Sequence, residues 1–336
     1  MILNNKFYFK HLKNIVFLGA SQKLKELIKI NDSLNIKTMV VTSSDQEKTI
    51  DKNIKLNVFN NLNDEFKSLI KKKFKIENTL FVSLGARYIF KKNTIENFLL
   101  NNLVNFHGTR LPLDAGGGRI SWAIMREDRI NNQSVNLITE KIDLGPIIDN
   151  KSSLYPRGCK IPLDLQNYDS EKLLVFYKQF IKKIIKGTKF ELKYQPEYLG
   201  RYNPRLNTEI SGLIDWSINS YDLINFINTF DDPYAGASTY LNDGNYGKLY
   251  LKGCQLHGGD SSNHPFMAGT ITRHDNDWIV VSTSGKHMLL IEKILTVKGI
   301  NILPKLNVGS KFFSPLTELQ KSKSSRIIYS SKGIKK

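Results

Sequence analysis

The feature that most constrains this chain is a series of short runs, nearly continuous in apolar residues, that alternate with helix-length segments from Asn14 to about Gly187. The runs read NIVFLGA, IKTMVVTS, KLNVF and TLFVSLGA, with helical stretches around Leu24 to Ile30 and from Leu62 to Lys73 between them. A strand exposed on one face alternates apolar and polar residues, whereas a continuously apolar strand must be covered on both. Parallel strands joined by crossover helices meet that demand, so this half predicts an α/β, doubly wound, Rossmann-like domain. Between Ser170 and Lys186, residues such as Leu173, Phe176, Tyr177, Phe180 and Ile184 recur at helical spacing and Gly187 follows, which predicts the helix that closes the domain.

A chain of 336 residues exceeds what one hydrophobic core usually serves, so two domains are expected. The stretch FELKYQPEYLGRYNPRLNTEISG mixes prolines, glycines and polar residues without a period and reads as a linker. After Asp215-Trp216-Ser217 comes a helical segment to Phe230, then strand-like runs GASTYL, KLYLKG, GTITR, WIVVS and HMLLIEKI punctuated by glycine. Such a series predicts a small, mostly β domain, barrel or sandwich. The expected boundaries are 1–190 for the first domain, 191–210 for the linker, 211–318 for the second domain and 319–336 for a basic, Ser-rich tail expected to be mostly mobile.

Several function classes are disfavoured. The first strand ends in Gly19-Ala20-Ser21 and no G-x-G-x-x-G follows, so no NAD is expected. Cys159 and Cys254 lack a CxxC partner, and the histidines other than His107 (His11, His257, His264, His274 and His287) lack HxxxH spacing, so no metal is expected. No segment approaches the roughly 18 uninterrupted apolar residues of a membrane span, and the N-terminus lacks a signal-peptide core, which predicts a cytoplasmic protein with no membrane partner. The formal charge of +18 accompanies a Lys-, Asn- and Ile-rich composition with scattered lysines, so it is read as compositional rather than as a nucleic-acid surface.

The chemistry-bearing stretch is LVNFHGTRLPLDAGGGRISWAIMREDR, followed by NQSVNLITEKIDLGPIID. Asn105 and His107 lie two apart at the end of an apolar run, so a strand puts both on one face, at the carboxyl end where open α/β sheets hold ligands. Histidine offers a base near neutral pH, and the asparagine amide a donor that does not titrate. A histidine at a strand end is also a common structural residue, and Asp143 in Ile142-Asp143-Leu144-Gly145-Pro146 is by default a turn-former. The spacing alone does not bring Asp143 to His107.

The run NFHGTRLP, the segment ISWAIMRED and the later DLGPII, in that order and at that separation, resemble the signature of the 10-formyltetrahydrofolate-dependent formyltransferase family. VSLGARYIF upstream, and SGLIDWS and DDPYAGASTYL downstream, extend the resemblance over nearly the whole chain. It implies a second domain that is OB-like, with 10-formyltetrahydrofolate as formyl donor and a primary amine as acceptor. It implies that Asn105 donates to the formyl oxygen, that His107 takes the proton of the attacking amine or stabilises the charge nearby, and that Asp143 orients His107 and helps relay protons. Leu84, Gly85 and Ala86, with Glu140, Lys141 and Asp143, would line the pterin.

The chain also departs from the family pattern. After the Leu-Pro turn it carries Leu113-Asp114-Ala115-Gly116-Gly117-Gly118-Arg119, where consecutive glycine amides flanked by Arg110 and Arg119 suit an anion, or else form a flexible loop. Arg110, Gly117, Gly118 and Arg119 are thus the candidate residues for a diphosphate. The place where initiator-tRNA enzymes carry a basic insertion reads SSDQEKTIDKNIK, mixed in sign. The favoured acceptor is therefore a nucleotide-linked amino deoxysugar, in surface polysaccharide (lipopolysaccharide or O-antigen) biosynthesis. Methionyl-tRNA is the alternative, and a non-catalytic tRNA- or folate-binding relic is disfavoured because Asn105, His107 and Asp143 are all retained. The sequence leaves the sugar, the nucleotide and the oligomeric state open, a homodimer being one state to test.

Overall fold

In a computed structural model, residues 2–3, 5–115, 118–196, 199–244, 246–261, 263–327, 329–330 and 333–334 are described. The chain divides into two compact units. Unit 1 comprises Met1–Gly116, Ile130–Leu154 and Tyr168–Tyr202, and unit 2 comprises Gly117–Arg129, Tyr155–Asn167 and Asn203–Lys336. The units are thus interleaved along the chain, with residues 117–129 and 155–167 grouping with the C-terminal part.

Unit 1 is built on a seven-stranded sheet of β1 (Asn14–Gly19), β2 (Lys37–Thr42), β3 (Leu56–Val58), β4 (Thr79–Leu84), β5 (Leu103–His107), β6 (Ile130–Leu137) and β7 (Ile147–Leu154), in the order β7-β6-β5-β4-β1-β2-β3. The pairs among β1 to β5 are parallel, and β6 and β7 add an antiparallel edge. Every residue of β1 and β4 is buried, as continuous apolar runs require. Ile15, Phe17, Leu80 and Val82 enter one core, while Val16, Leu18 and Phe81 enter the other with Leu103. Helices α1 (Leu24–Ser33) and α2 (Asp64–Lys73) lie where their periodicity predicts them. Asn63 caps α2 by accepting from the Phe66 amide.

The long helix starts earlier than its apolar stripe, spanning Pro162–Ile185. Proline suits a first helical turn, and Asp164 accepts from the amides of Lys160 at 3.0 Å and Ile161 at 3.3 Å, so polar residues that break the stripe still belong to the helix. This is helix α4, following α3 (Arg119–Met125) in unit 2. From α4, Tyr177, Phe180 and Phe176 pack on Phe106 of β5, with ring centroids at 5.3, 5.5 and 5.9 Å.

Unit 2 holds helix α5 (Ser220–Thr229) and a six-stranded antiparallel sheet of β8 (Ala237–Leu241), β9 (Leu249–His257), β10 (Ile271–His274), β11 (Ile279–Val281), β12 (Met288–Thr296) and β13 (Phe312–Phe313), ordered β10-β11-β12-β9-β8-β13. The two edges meet: Thr270 bridges Lys311, and the Phe312 amide donates to Gly269 O. The sheet therefore closes into a barrel, with no long edge left open. Helix α6 (Leu316–Ser324) takes in the first residues of the stretch expected to be mobile. It is tied down by the Lys323 ammonium on Asp215 and by the Tyr240 hydroxyl, which donates to Glu318 at 2.8 Å.

Two outcomes follow. Phe106→Ala should cost about 3–5 kcal/mol, read from denaturant unfolding, because an aromatic ring in a closed aromatic cluster leaves a cavity. Burial alone would raise the Asp215 carboxyl, but the Lys323 ammonium and the Ser217 hydroxyl and amide hold it below its ordinary value. A depressed carboxylate stabilises the fold above its unfolded value and loses that contribution as pH falls through the folded one. The anchoring of α6 should therefore hold above about pH 4 and weaken below it. Asp215→Asn should abolish that acid step in hydrogen exchange of the helix.

Candidate active site

The carboxyl ends of the parallel strands carry a polar row on one face of the sheet. Because Val104 and Phe106 are buried beneath α4, the period of two turns Asn105 and His107 to the opposite face. Ser83 of β4 pairs with Asn105, and on β6 Asn136 pairs with Asn105 and Ser134 with His107. The Ser134 hydroxyl donates to the carbonyls of His107 at 3.0 Å and Thr109 at 3.2 Å, and the Asn132 amide also donates to Thr109 O at 2.9 Å. The backbone leaving His107 is thereby held by side chains of the neighbouring strand.

Asp143 reaches this row. Its Oδ2 lies 3.8 Å from His107 Nε2, and the two side chains retain 20% and 27% of their surface, enough for a ligand to meet them. The reach depends on a tight turn between β6 and β7. Asp143 has φ +58°, in the left-handed region that aspartate tolerates better than most residues. Gly145 passes so close to β6 that a Cβ there would lie 1.8 Å from Leu137 O. Asp143 thus meets His107, whose sheet face Asn105 shares.

The expected pterin residues lie on either side. Leu84 ends β4, and the loop after it is tied to the segments following β2 and β3: Gln46 donates to Gly85 O at 3.0 Å, Arg87 pairs with Asp45, and the Tyr88 hydroxyl donates to Phe59 O at 2.9 Å. The hydrogen bond from the Ser43 hydroxyl, with the Arg87 guanidinium, holds the Asp45 carboxyl below its ordinary value against partial burial. Glu140 and Lys141 are exposed on the β6–β7 turn, where Glu140 accepts from the Lys92 amide at 3.2 Å. Asn136 Oδ1 and Gln195 Oε1 are buried and accept no hydrogen bond among the described residues. Sequence reasoning singled out none of Ser83, Ser134, Asn136 and Gln195. The strand residues could have been found from the period of two once the pairing register was known, whereas Gln195 carries no local signal.

The candidate diphosphate residues are placed differently from a pair of cations flanking a glycine run. Arg110 is in unit 1, its guanidinium bonded to Asp114 at 3.0 and 3.1 Å. Arg119 is in unit 2, 7% exposed, donating to the Tyr155 hydroxyl at 2.9 Å and lying over that ring. Gly118 answers a packing need, since a Cβ there would lie 2.2 Å from Pro204 O. Gly116 and Gly117 lie outside the described residues. A cleft of about 440 Å³ in unit 2, lined by Asn228, Asp231, Lys252 and Glu292 among others, includes none of Asn105, His107 and Asp143. Among the described residues no group of three metal-ligating side chains occurs, and no helix is long and apolar enough to cross a membrane.

Residues 208–302 match the protein family described as formyl transferase, C-terminal domain. Over 332 residues the chain is 24% identical to a methionyl-tRNA formyltransferase of Mycoplasma capricolum subsp. capricolum, covering 89% of this chain and 98% of the relative. It is 23% identical over 179 residues to a bifunctional polymyxin resistance protein ArnA of Wigglesworthia glossinidia brevipalpis, spanning half of this chain and a quarter of that relative's length. Its fold is shared with an N-formyltransferase from Helicobacter canadensis, solved in complex with folinic acid and dTDP-3-aminofucose. The TM-score is 0.61 at 17% identity, with 84% of this chain and 99% of that one covered.

Gly145→Ala tests the geometry of the turn. The atom the new Cβ would meet is a backbone oxygen, which cannot swing aside as a side chain can, and the substitution should destabilise unit 1 by about 1–3 kcal/mol in denaturant unfolding. Wild-type stability would show that the turn can relax.

Proposed function

The chain belongs to the formyltransferase family, and from that premise we propose that it moves a formyl group from 10-formyltetrahydrofolate to the primary amine of a nucleotide-linked amino deoxysugar. The observation that carries the reading is the convergence of His107 and Asp143, 3.8 Å apart, beside Asn105 on one sheet face at the carboxyl ends of parallel strands. The sugar acceptor draws support from the likeness to a solved enzyme holding dTDP-3-aminofucose, which extends over 99% of that enzyme's length.

The bound donor would supply an activated formyl carbon, whose bond to N10 breaks as the bond to the amine nitrogen forms, N10 of the departing tetrahydrofolate taking up a proton to balance the one the amine loses. The remaining work falls to the chain's own residues. An ammonium is not a nucleophile, so the site must present the amine neutral, and His107 is the base that removes its proton. Asp143 orients the imidazole and stabilises its charged form. The Asn105 amide donates to the oxygen on which negative charge develops. The buried acceptor on Asn136, which pairs with Asn105 across the strands, fits a ligand rich in N–H groups, as a reduced pterin is. Leu84, Gly85 and Ala86 on one side and Glu140 and Lys141 on the other are proposed to line it. Arg119 is not assigned to the diphosphate, because unit 2 buries it against Tyr155. Arg110 keeps a quarter of its side-chain surface and is the cation of that pair that a phosphate could reach. The proposed setting is surface polysaccharide synthesis in the cytoplasm.

A second reading, methionyl-tRNA as acceptor, is favoured by the match spanning nearly the full length of the Mycoplasma relative. Tetrahydrofolate release measured with a panel of nucleotide-linked amino sugars, against charged initiator tRNA, separates the two. Turnover with a 3-amino or 4-amino deoxysugar nucleotide is expected, and formylated methionyl-tRNA with no sugar turnover would replace the acceptor while leaving the chemistry in place. Replacing Asn105 with Ala should lower kcat roughly 100- to 1000-fold, and His107→Ala about 100- to 10,000-fold. A His107→Ala enzyme near wild-type turnover would remove His107 from the mechanism.

A further inference from the structure

We propose that Gln195, in the stretch that reads as a linker, is a positioning residue that holds the turn from which Asp143 reaches His107. The inference rests on the reading of Asn105, His107 and Asp143 as the catalytic set. Gln195 Nε2 donates to Asp143 O at 2.9 Å and to Gly145 O at 2.6 Å. One side-chain amide thus holds both ends of the three-residue turn.

The backbone explains how Gln195 arrives there. Lys193 and Ile147 form an antiparallel bridge, with the Ile147 amide donating to Lys193 O at 2.8 Å and the Lys193 amide returning to Ile147 O at 2.9 Å. In such a ladder the residue two further along one strand meets the residue two back on the other, which sets Gln195 against Gly145. Pro146 has no N–H to give and Pro196 follows Gln195, so the regular ladder is weakened here and a side chain supplies the donors.

The chemistry calls for a primary amide. Two carbonyls need two N–H donors on one atom, which an NH₂ group has and a carboxylate lacks. The assignment of nitrogen and oxygen is also determined: reversed, Gln195 Oε1 would face two carbonyl oxygens. As placed, Oε1 is buried and accepts nothing among the described residues, so the amide is held by its donors alone. Asp143 sits at φ +58°, a conformation the chain does not favour, and the two bonds from Gln195 are what oppose its relaxation.

The test uses the full chain with Gln195→Leu, which removes both donors, and Gln195→Glu, which sets a carboxylate against the carbonyls. Each should lower kcat roughly 10- to 100-fold, the effect typical of losing a residue that orients a reacting group. The acceptor KM should stay within about twofold, since ground-state binding is not the interaction removed. In an Asp143→Asn background Gln195→Leu should add no further loss, because both act through the same carboxylate. The His107 ring resonances at one pH, assigned by their absence in His107→Ala, should move in both Gln195 variants as they do in Asp143→Asn. Wild-type turnover in Gln195→Glu, a loss that multiplies with that of Asp143→Asn, or unmoved His107 resonances would each overturn the proposal. Should the unaltered chain transfer no formyl group to any acceptor, the functional reading fails, and the His107 resonances still decide the role of Gln195.

Discussion

Val104 and Phe106 can be buried on only one face of the sheet, and the aromatic cluster of helix α4 is what buries them. The rest of the site depends on that packing. Once Phe106 points into the core, the pleat leaves Asn105 and His107 no choice but the other face, and the strand register sets Ser83, Ser134 and Asn136 around them. A slip of one residue in β5 would bury the histidine and expose the phenylalanine. The cost of that exchange, an aromatic side chain in water and an imidazole in an apolar core, makes the placement robust.

The second constraint is the turn between β6 and β7. A strand pair that passed directly from Leu137 to Ile147 would carry no side chain back toward the row. The excursion through residues 138–146 returns Asp143 to His107, and it uses an unfavourable φ at Asp143 and a close backbone approach at Gly145 to do so. Local conformation of this kind persists only where surrounding bonds over-determine it. The bonds from Gln195 to Asp143 O and Gly145 O, and the bridge of Lys193 with Ile147, supply that here.

Unit 2 solves a different problem. Six short antiparallel strands would leave two exposed edges, and the meeting of Thr270 with Lys311 removes them. Helix α6 follows directly from the last strand, and its charged anchors, Lys323 on Asp215 and Glu318 with Tyr240, account for order in a stretch whose composition alone suggests none. The grouping of residues 117–129 and 155–167 with this unit likewise explains Arg119 and Gly118, whose partners Tyr155 and Pro204 are unit 2 residues.

The amino-acid sequence by itself determined the architecture, because continuous apolar runs and their spacing follow from one-dimensional demands: a strand covered on both faces must be apolar at every position, and a helix must repeat its apolar side. It also determined that Asn105 and His107 share a face, since a period of two needs no partner strand to be known. The start of α4 was hidden because capping by Pro162 and Asp164, rather than an apolar stripe, defines its first turns. Only the tertiary structure decided that Asp143 meets His107, that Arg119 is buried against Tyr155, and that Gln195 bonds the turn that carries Asp143. These are contacts between segments 36, 36 and 52 residues apart in the chain. No local propensity encodes such contacts, because the free energy that makes them comes from packing and hydrogen bonds available only after the sheet has formed.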